Sequence, residues 1–266
     1  MSAAKGIEHI NKVVEHYAAT YQKKDMILLD SSGSFSECLS MSIIVAHLKR
    51  MMPSAVLMWG MQRKYHKMWD VYTKTIGSVI FPYPDDPSID DRVAWRNHAK
   101  TLELADVQFP GLGMVRPNIG FVKNFILNAG ITKMLVPTIP VFPHDESDLQ
   151  WHDALSASNN MLGKPYIAIE YKSGDDRIAL IARKTAGNVI WIGDKDDKQV
   201  TVDARGCSMR QAKVVIQRAK AFIAVTEDYK NLSICDGLKT KTLDVAADSP
   251  LAILGQANTY VSTKTR

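Results

Sequence analysis

Three stretches of the chain hold side chains that can do chemistry. In ILLDSSGSFSEC (27–38) an apolar run breaks into a Ser/Gly turn and then into an amphipathic segment. Such a turn offers backbone N–H groups and hydroxyls to a phosphate from Ser32, Gly33, Ser34 and Ser36, as helix N-termini do. It lacks the Lys-Ser/Thr ending of a Walker loop and the three spaced glycines of a dinucleotide loop. Glu37 falls in the first helical turn. A carboxylate there can serve as a general base, or it can be a first-turn acid favoured by the helix dipole, with Ser34 or Ser36 as the cap. Both readings stay open.

The second stretch is KSGDDR, 172–177. Lys172 and Arg177 can pair with a diphosphate, Arg through its bidentate fork. With two acids beside the bases, the same residues also read as a plain surface turn. The third is PVFPHDESDLQWHD, 140–153. His144 and His152 stand among Asp145, Glu146, Asp148 and Asp153 without metal-ligand spacing, so a solvated linker is expected and no metal site. Cys38, Cys207 and Cys235 form no CxxC pair, which points to free thiols in a reducing compartment. Cys38 reads as a helix-start thiolate or as a small buried residue.

The elements that must position these residues follow from hydrophobic period. A helix is expected over 7–23, a strand over 26–30, a helix over 37–51 ended by Pro53, and a buried strand in SAVLMWGM (54–61). Helices over 67–76, 94–105 and 115–131 alternate with strands at 78–84 and 133–137. After the proline-bearing linker near 143–150 come a helix at 149–162, strands at 165–173 and 188–194, and a helix from 209 running into a strand that ends near 228. TLDVA (242–246) and LAILG (251–255) read as the last strands. Strands alternating with helices mean parallel sheets covered on both faces. The expected class is α/β, with two Rossmann-like lobes at 1–146 and 147–266.

This order resembles the GT-B fold of glycosyltransferases, and within it the lipopolysaccharide heptosyltransferase-like family, glycosyltransferase family 9. In that family a first strand ends in a small-residue loop whose Asp, thought to be the catalytic base, lies about sixteen residues before a helix-ending proline. Here Glu37 lies sixteen residues before Pro53, with Ser36 in the glycine position. PYIAIEYKSGDDRIAL (165–180) is similar to the family's strand that opens the donor-side lobe, and the resemblance puts Lys172, Ser173 and Arg177 at the donor phosphates. In 209–239 the family pattern is a helix, a strand, then Asp-Ser/Thr-Gly-x-x-His-Leu opening a helix that ends in glycine, the place of Gly237. This chain has Thr226-Glu227-Asp228-Tyr229-Lys230-Asn231-Leu232, so Asn231 stands where the family has histidine and Asp228 where it has glycine.

The resemblance implies transfer of a sugar from a nucleotide-diphosphate donor to a glycan hydroxyl. Glu37 would be the base, the loop of Ser32, Gly33, Ser34 and Ser36 the acceptor side, and no cofactor or metal would be needed. Two acids in the donor block oppose a diphosphate, and the chain reads as shortened after LAILGQANTY. The alternative is therefore an inactive glycosyltransferase-fold protein, serving as a structural or glycan-binding subunit of a larger assembly such as a virus particle. A protein partner or a second copy would then cover the shortened C-terminal lobe.

Composition fits either reading. Of 266 residues 46% are apolar and 23% charged, ordinary for a globular protein. No apolar run reaches the length of a membrane span or of a signal-peptide core. The net charge of +5 is spread along the chain. It favours anionic partners in general, and with no recognition motif nucleic acid is not expected.

Overall fold

Alternating apolar runs and amphipathic segments become two separate parallel sheets in the computed structural model. It describes residues 26–31, 34–76, 79–83, 105–107, 139–184, 188–197, 199–235, 240–246 and 249–262, with positions 8, 12, 15, 85, 88, 90, 91, 93, 94, 97. The chain divides into Met1–Phe142 and Pro143–Arg266.

The first unit contains β1 (Met26–Ser31), α1 (Phe35–Met51), β2 (Val56–Gln62), α2 (His66–Ile76), β3 (Val79–Tyr83) and β4 (Ala105–Val107). The strand order is β3-β2-β1-β4, and every pairing is parallel. β2 is buried at all seven positions, as a strand covered on both faces must be. α1 is apolar over most of its surface and buries Phe35, Cys38, Leu39, Met41, Ile43, Ile44 and Val45. Its last turn is closed by Lys49, whose ammonium donates to the carbonyls of Pro53 (3.1 Å) and Ala55 (2.9 Å). Phe35 anchors the first turn, packing edge-on to Phe142 at 5.3 Å, and Phe142 does the same to Trp69 on α2 at 5.1 Å. Such tilted aromatic pairs hold α1 to its own unit through a large buried area.

The expected helix over 94–105 ends differently: Ala105–Val107 is the edge strand β4, paired to Ile27–Leu29. Most of that helix, the helix at 115–131 and the strand at 133–137 lie outside the described residues, as do Ser32, Gly33 and Gly237. Of the opening segment, Glu8, Lys12 and Glu15 are described and helical.

The second unit contains α3 (Glu146–Ser158), β5 (Ile167–Tyr171), α4 (Asp176–Lys184), β6 (Val189–Gly193), β7 (Val202–Asp203), α5 (Met209–Arg218), β8 (Ala221–Ala224), α6 (Glu227–Ser233), β9 (Lys241–Asp244) and α7 (Pro250–Ser262). Its order is β7-β6-β5-β8-β9, again all parallel. Ile167, Ile169 and Tyr171 of β5 face a core completed by Ile178 and Ile181 of α4 and Ile253, Leu254 and Ala257 of α7. The alternate residues, Ala168 and Glu170, face the side covered by α5 and α6.

Two elements differ from expectation. Of the expected solvated linker at 143–150, Asp145 is the cap of α3 and residues 146–150 are its start. Asp145 accepts from the Asp148 N–H (3.2 Å) while the Asp148 carboxylate accepts from the Asp145 N–H (3.0 Å), a reciprocal capping box. Arg210 ties both carboxylates to α5, at 2.8 Å from Asp145 and 3.0 Å from Asp148. The strand expected at 251–255 is part of α7. Ser249 caps it, accepting from the Ala252 N–H (3.3 Å), and Pro250 takes the first helical position, where its missing N–H loses nothing. A five-residue apolar run has no readable period; Ile253 and Ala257 lie one turn apart on the core face.

Candidate functional site

In open parallel sheets ligands sit beyond the carboxyl ends of the strands, where the order reverses direction. In the C-terminal unit that point lies between β5 and β8. The penultimate residue of β5, Glu170, occupies it. One carboxylate oxygen accepts from the backbone N–H groups of Val225 (2.6 Å) and Thr226 (2.9 Å), and the other accepts from the Thr226 hydroxyl (2.6 Å). These donors are the turn from β8 into α6, so the chain presents its own anion to the N–H groups that an anionic ligand would seek. Glu170 is 2% exposed. Burial pushes its carboxyl above the usual carboxylate range, the Thr226 and Val225 hydrogen bonds pull it down, and the nearby Asp194 adds to the rise.

Around this carboxylate the site is acidic and tightly paired. Asp194, just after β6, receives the Lys172 ammonium at 3.1 Å and the Ser173 N–H at 3.2 Å. Arg177 lies in the first turn of α4 and is clasped by Asp175, with Nε donating at 3.0 Å and a terminal nitrogen at 2.6 Å. Lys230 pairs with Glu227 (3.0 Å) and Asp244 (2.6 Å). Asn231 is half-buried on α6, where its carbonyl accepts from the Ile234 N–H. The residues expected at donor phosphates are thus placed after β5 and on α6. Lys172 and Ser173 converge on one aspartate, and Arg177 is held separately.

Beside them a second network centres on a buried cation and reaches solvent through its carboxylates. Arg205, whose side chain is 2% exposed, donates to Asp203 (2.9 Å) and Asp196 (2.9 Å) and stacks over the Tyr171 ring at 4.7 Å. Tyr171 donates to Asp196 at 2.6 Å, and burial with Asp196 pushes its hydroxyl up to about 12. Gly193 makes the close approach possible: at φ +99° a Cβ would stand 2.5 Å from the Tyr171 carbonyl oxygen.

In the N-terminal unit the corresponding reversal lies between β1 and β4. Ser34 caps α1, its hydroxyl accepting from the Glu37 N–H at 3.2 Å. Glu37 is the third helical residue and half-buried, and Ser36 precedes it in the same turn. The alternatives for the cap resolve to Ser34. Cys38 is fully buried at 0% exposure, so it is a packing residue, and all three cysteines are free thiols. Burial pushes the Cys207 thiol up to about 12, which makes it a poor nucleophile. Among the described residues no group of three or more His, Cys, Asp or Glu is placed to hold a metal ion, and no helix is long and apolar enough to cross a membrane.

With this geometry in hand, comparison with known structures is decisive for the fold. A family 9 glycosyl transferase from Veillonella parvula DSM 2008 matches 90% of this chain and 97% of its own, with a TM-score of 0.63 at 8% identity. The chain has the glycosyltransferase fold. ADP-heptose LPS heptosyltransferase II from E. coli matches 89% of this chain and 98% of its own, with a TM-score of 0.53 at 10% identity. No protein-family model and no curated protein matches the sequence. At such identities the glycosyltransferase likeness is one of backbone, and side chains must be read from this chain itself.

Glu170 and Asp194 are not among the residues that the sequence singles out. The signal for Glu170 was present in PYIAIEYKS: an acid inside an otherwise apolar strand, buried on both faces, requires donors nearby. Asp194 ends WIGD and gave no comparable signal.

Proposed function

We propose that this chain is a glycosyltransferase-fold protein that has given up the donor site and serves as a structural or glycan-binding subunit of a larger assembly. The observation that carries this reading is the buried Glu170 carboxylate on the Val225 and Thr226 N–H groups. A diphosphate at the same place would need those donors and would meet like charge from the buried Glu170 and the more exposed Asp194. The cations that would offset them are paired: Lys172 with Asp194 and Arg177 with Asp175. Calorimetric titration with nucleoside diphosphates and a panel of nucleotide sugars tests it. The expected result is no saturable heat and no sugar transfer. Micromolar binding that disappears in Lys172→Ala/Arg177→Ala would overturn it.

A second reading keeps activity, and Glu37 favours it. Glu37 sits in the first turn after β1, capped by Ser34, at the carboxyl end of the N-terminal sheet. There it has the position of a base that takes a proton from an acceptor hydroxyl as the oxygen attacks the anomeric carbon. In this reading a nucleotide-diphosphate donor gives its sugar to a glycan without a metal, with Lys172, Ser173, Arg177 and Asn231 at the phosphates. Turnover with any nucleotide sugar that Glu37→Gln abolishes would establish it.

A further inference from the structure

The opposite end of the C-terminal sheet, at the amino ends of β5 and β8, holds a cavity of about 400 Å³. This is the size range of small-ligand pockets. It is lined by His152, Asp153, Lys164, Tyr166, Arg218 and Lys220, with apolar walls from Met161, Leu162 and Pro165. Three cations therefore face one acid.

The cavity is held by buried polar groups. Tyr166 donates its hydroxyl to the Val215 carbonyl at 2.7 Å, so it must accept from His152 Nε2 at 2.9 Å. That fixes the neutral tautomer with its proton on Nε2 and leaves Nδ1 as an acceptor. Arg218 Nη1 fills it at 2.9 Å, and the same nitrogen also reaches Asp153. His152 is 4% exposed, so the imidazole that anchors the guanidinium is part of the core. Arg218 is thereby positioned through one nitrogen, with its remaining N–H groups turned to no partner among the described residues. Lys164 and Lys220 likewise have no ion-pair partner for their ammonium groups among the described residues.

The course of the wall is set by a local backbone feature. Asn160 ends α3 in the left-handed conformation at φ 54°. Its N–H donates to the Ala157 carbonyl at 3.1 Å, and the Met161 N–H donates to the Ser156 carbonyl at 2.7 Å. That is a Schellman cap, and Met161, the residue after the left-handed position, is buried. Gly163, at φ +72°, then turns the chain so that Lys164 and Pro165 reach the rim. Leu162 is left 64% exposed at the mouth, where an apolar body could cover it.

We infer that this cavity is a binding site for a phosphate monoester with a small apolar or ring-shaped body. The phosphate would lie against Arg218, Lys164 and Lys220, and the body against Leu162, Met161 and Pro165. The site is remote in the sheet from Glu170, at the other ends of the same strands, and does not depend on whether the carboxyl-end crevice binds a donor.

Calorimetry and amide chemical-shift mapping with phenyl phosphate test it on the full chain. Saturable binding is expected, with shifts at Gly163, Lys164, Tyr166 and Lys220. Both lysines are exposed, so Lys164→Ala/Lys220→Ala should fold normally and weaken binding about tenfold or more. Arg218→Gln should weaken it comparably. Inorganic phosphate should bind more weakly than phenyl phosphate, and benzyl alcohol not measurably. Absence of saturation up to roughly 10 mM phenyl phosphate would overturn the inference. So would undiminished binding in the double lysine variant, or equal affinity for inorganic phosphate and the ester.

Discussion

The two ends of the C-terminal sheet treat charge in opposite ways. At the carboxyl ends, where this fold presents a ligand crevice, Glu170 fills the turn before α6, and Asp175 and Asp194 hold the cations. At the amino ends, where the strand order offers no crevice by itself, Arg218 is fixed by a buried histidine beside two lysines and an open cavity. Inherited backbone topology thus marks where a site can form, whereas the pairing of individual charges decides whether a ligand has anything left to meet.

The largest expected effect of a single substitution is at Glu170. Removing its carboxylate in Glu170→Ala leaves two buried N–H groups and a hydroxyl without a partner and opens a small void. Chemical denaturation should show a loss of roughly 2–4 kcal/mol. Glu170→Gln keeps one acceptor and most of the volume, so a smaller loss, about 1–2 kcal/mol, is expected. If Glu170→Ala were neutral, the turn would be satisfied by water and the crevice open, and the contrast between the two ends would fail.

Glycines sharpen the same contrast. Gly193 and Gly163 both have positive φ, +99° and +72°, but only at Gly193 would a Cβ strike backbone, the Tyr171 carbonyl oxygen at 2.5 Å. Gly193→Ala should cost roughly 2–3 kcal/mol because two packed strands would have to part. Gly163→Ala meets open space and should cost about 1 kcal/mol, from backbone conformation alone. Equal losses in thermal melts would mean that the β5–β6 contact is looser than its geometry.

Much of the scaffold that makes this comparison possible was legible in the chain. Both parallel sheets follow from alternating runs such as MILLD, VLMWGM, IAIEY and VIWIG, because strands buried on both faces have to be continuously apolar. The start of α1 was legible only to within two residues: the helix expected from 37 begins at Phe35, and of the two candidate caps, Ser34 and Ser36, the structure uses Ser34. What was not legible depended on long-range pairing. His152 looked like part of a polar linker because QWHDAL gives no sign that Tyr166, fourteen residues on, would bury its ring. Arg218 falls inside the expected run of helix into strand, and only the fold brings Asp153 and His152 to it. LAILG had too few residues to separate a strand from a helix, and the deciding features, Ser249 as a cap and Pro250 at the first position, lay outside the apolar run.

The smallest expected effects are in pH dependence, where two carboxylates of the C-terminal unit should act with opposite sign. Ser147, the Asp148 N–H and Arg210 hold the Asp145 carboxyl down at about 2, below its usual 3.8. Its folded form binds a proton less readily than its unfolded form, so it adds stability above pH 3.8. That contribution is lost as pH falls through 3.8 toward about 2. Glu170 runs the other way. Burial raises its folded pKa above the usual 4.5, so the folded chain holds the proton longer than the unfolded one. Stability from Glu170 is therefore fullest below pH 4.5 and declines as pH rises from there through the raised value. Denaturation curves across pH 2–7 should show Asp145→Asn flattening the acid side, because Asn cannot titrate, and Glu170→Gln flattening the decline above pH 4.5. The Asp145 effect should be the weaker of the two, since that side chain is 36% exposed and solvent screens its partners. A Glu170→Gln curve that still fell above pH 4.5 as the parent does would place the decline on another group. The carboxyl end of the sheet would then hold its anion without strain, which is the opposite of what a buried carboxylate on three donors beside Asp194 implies.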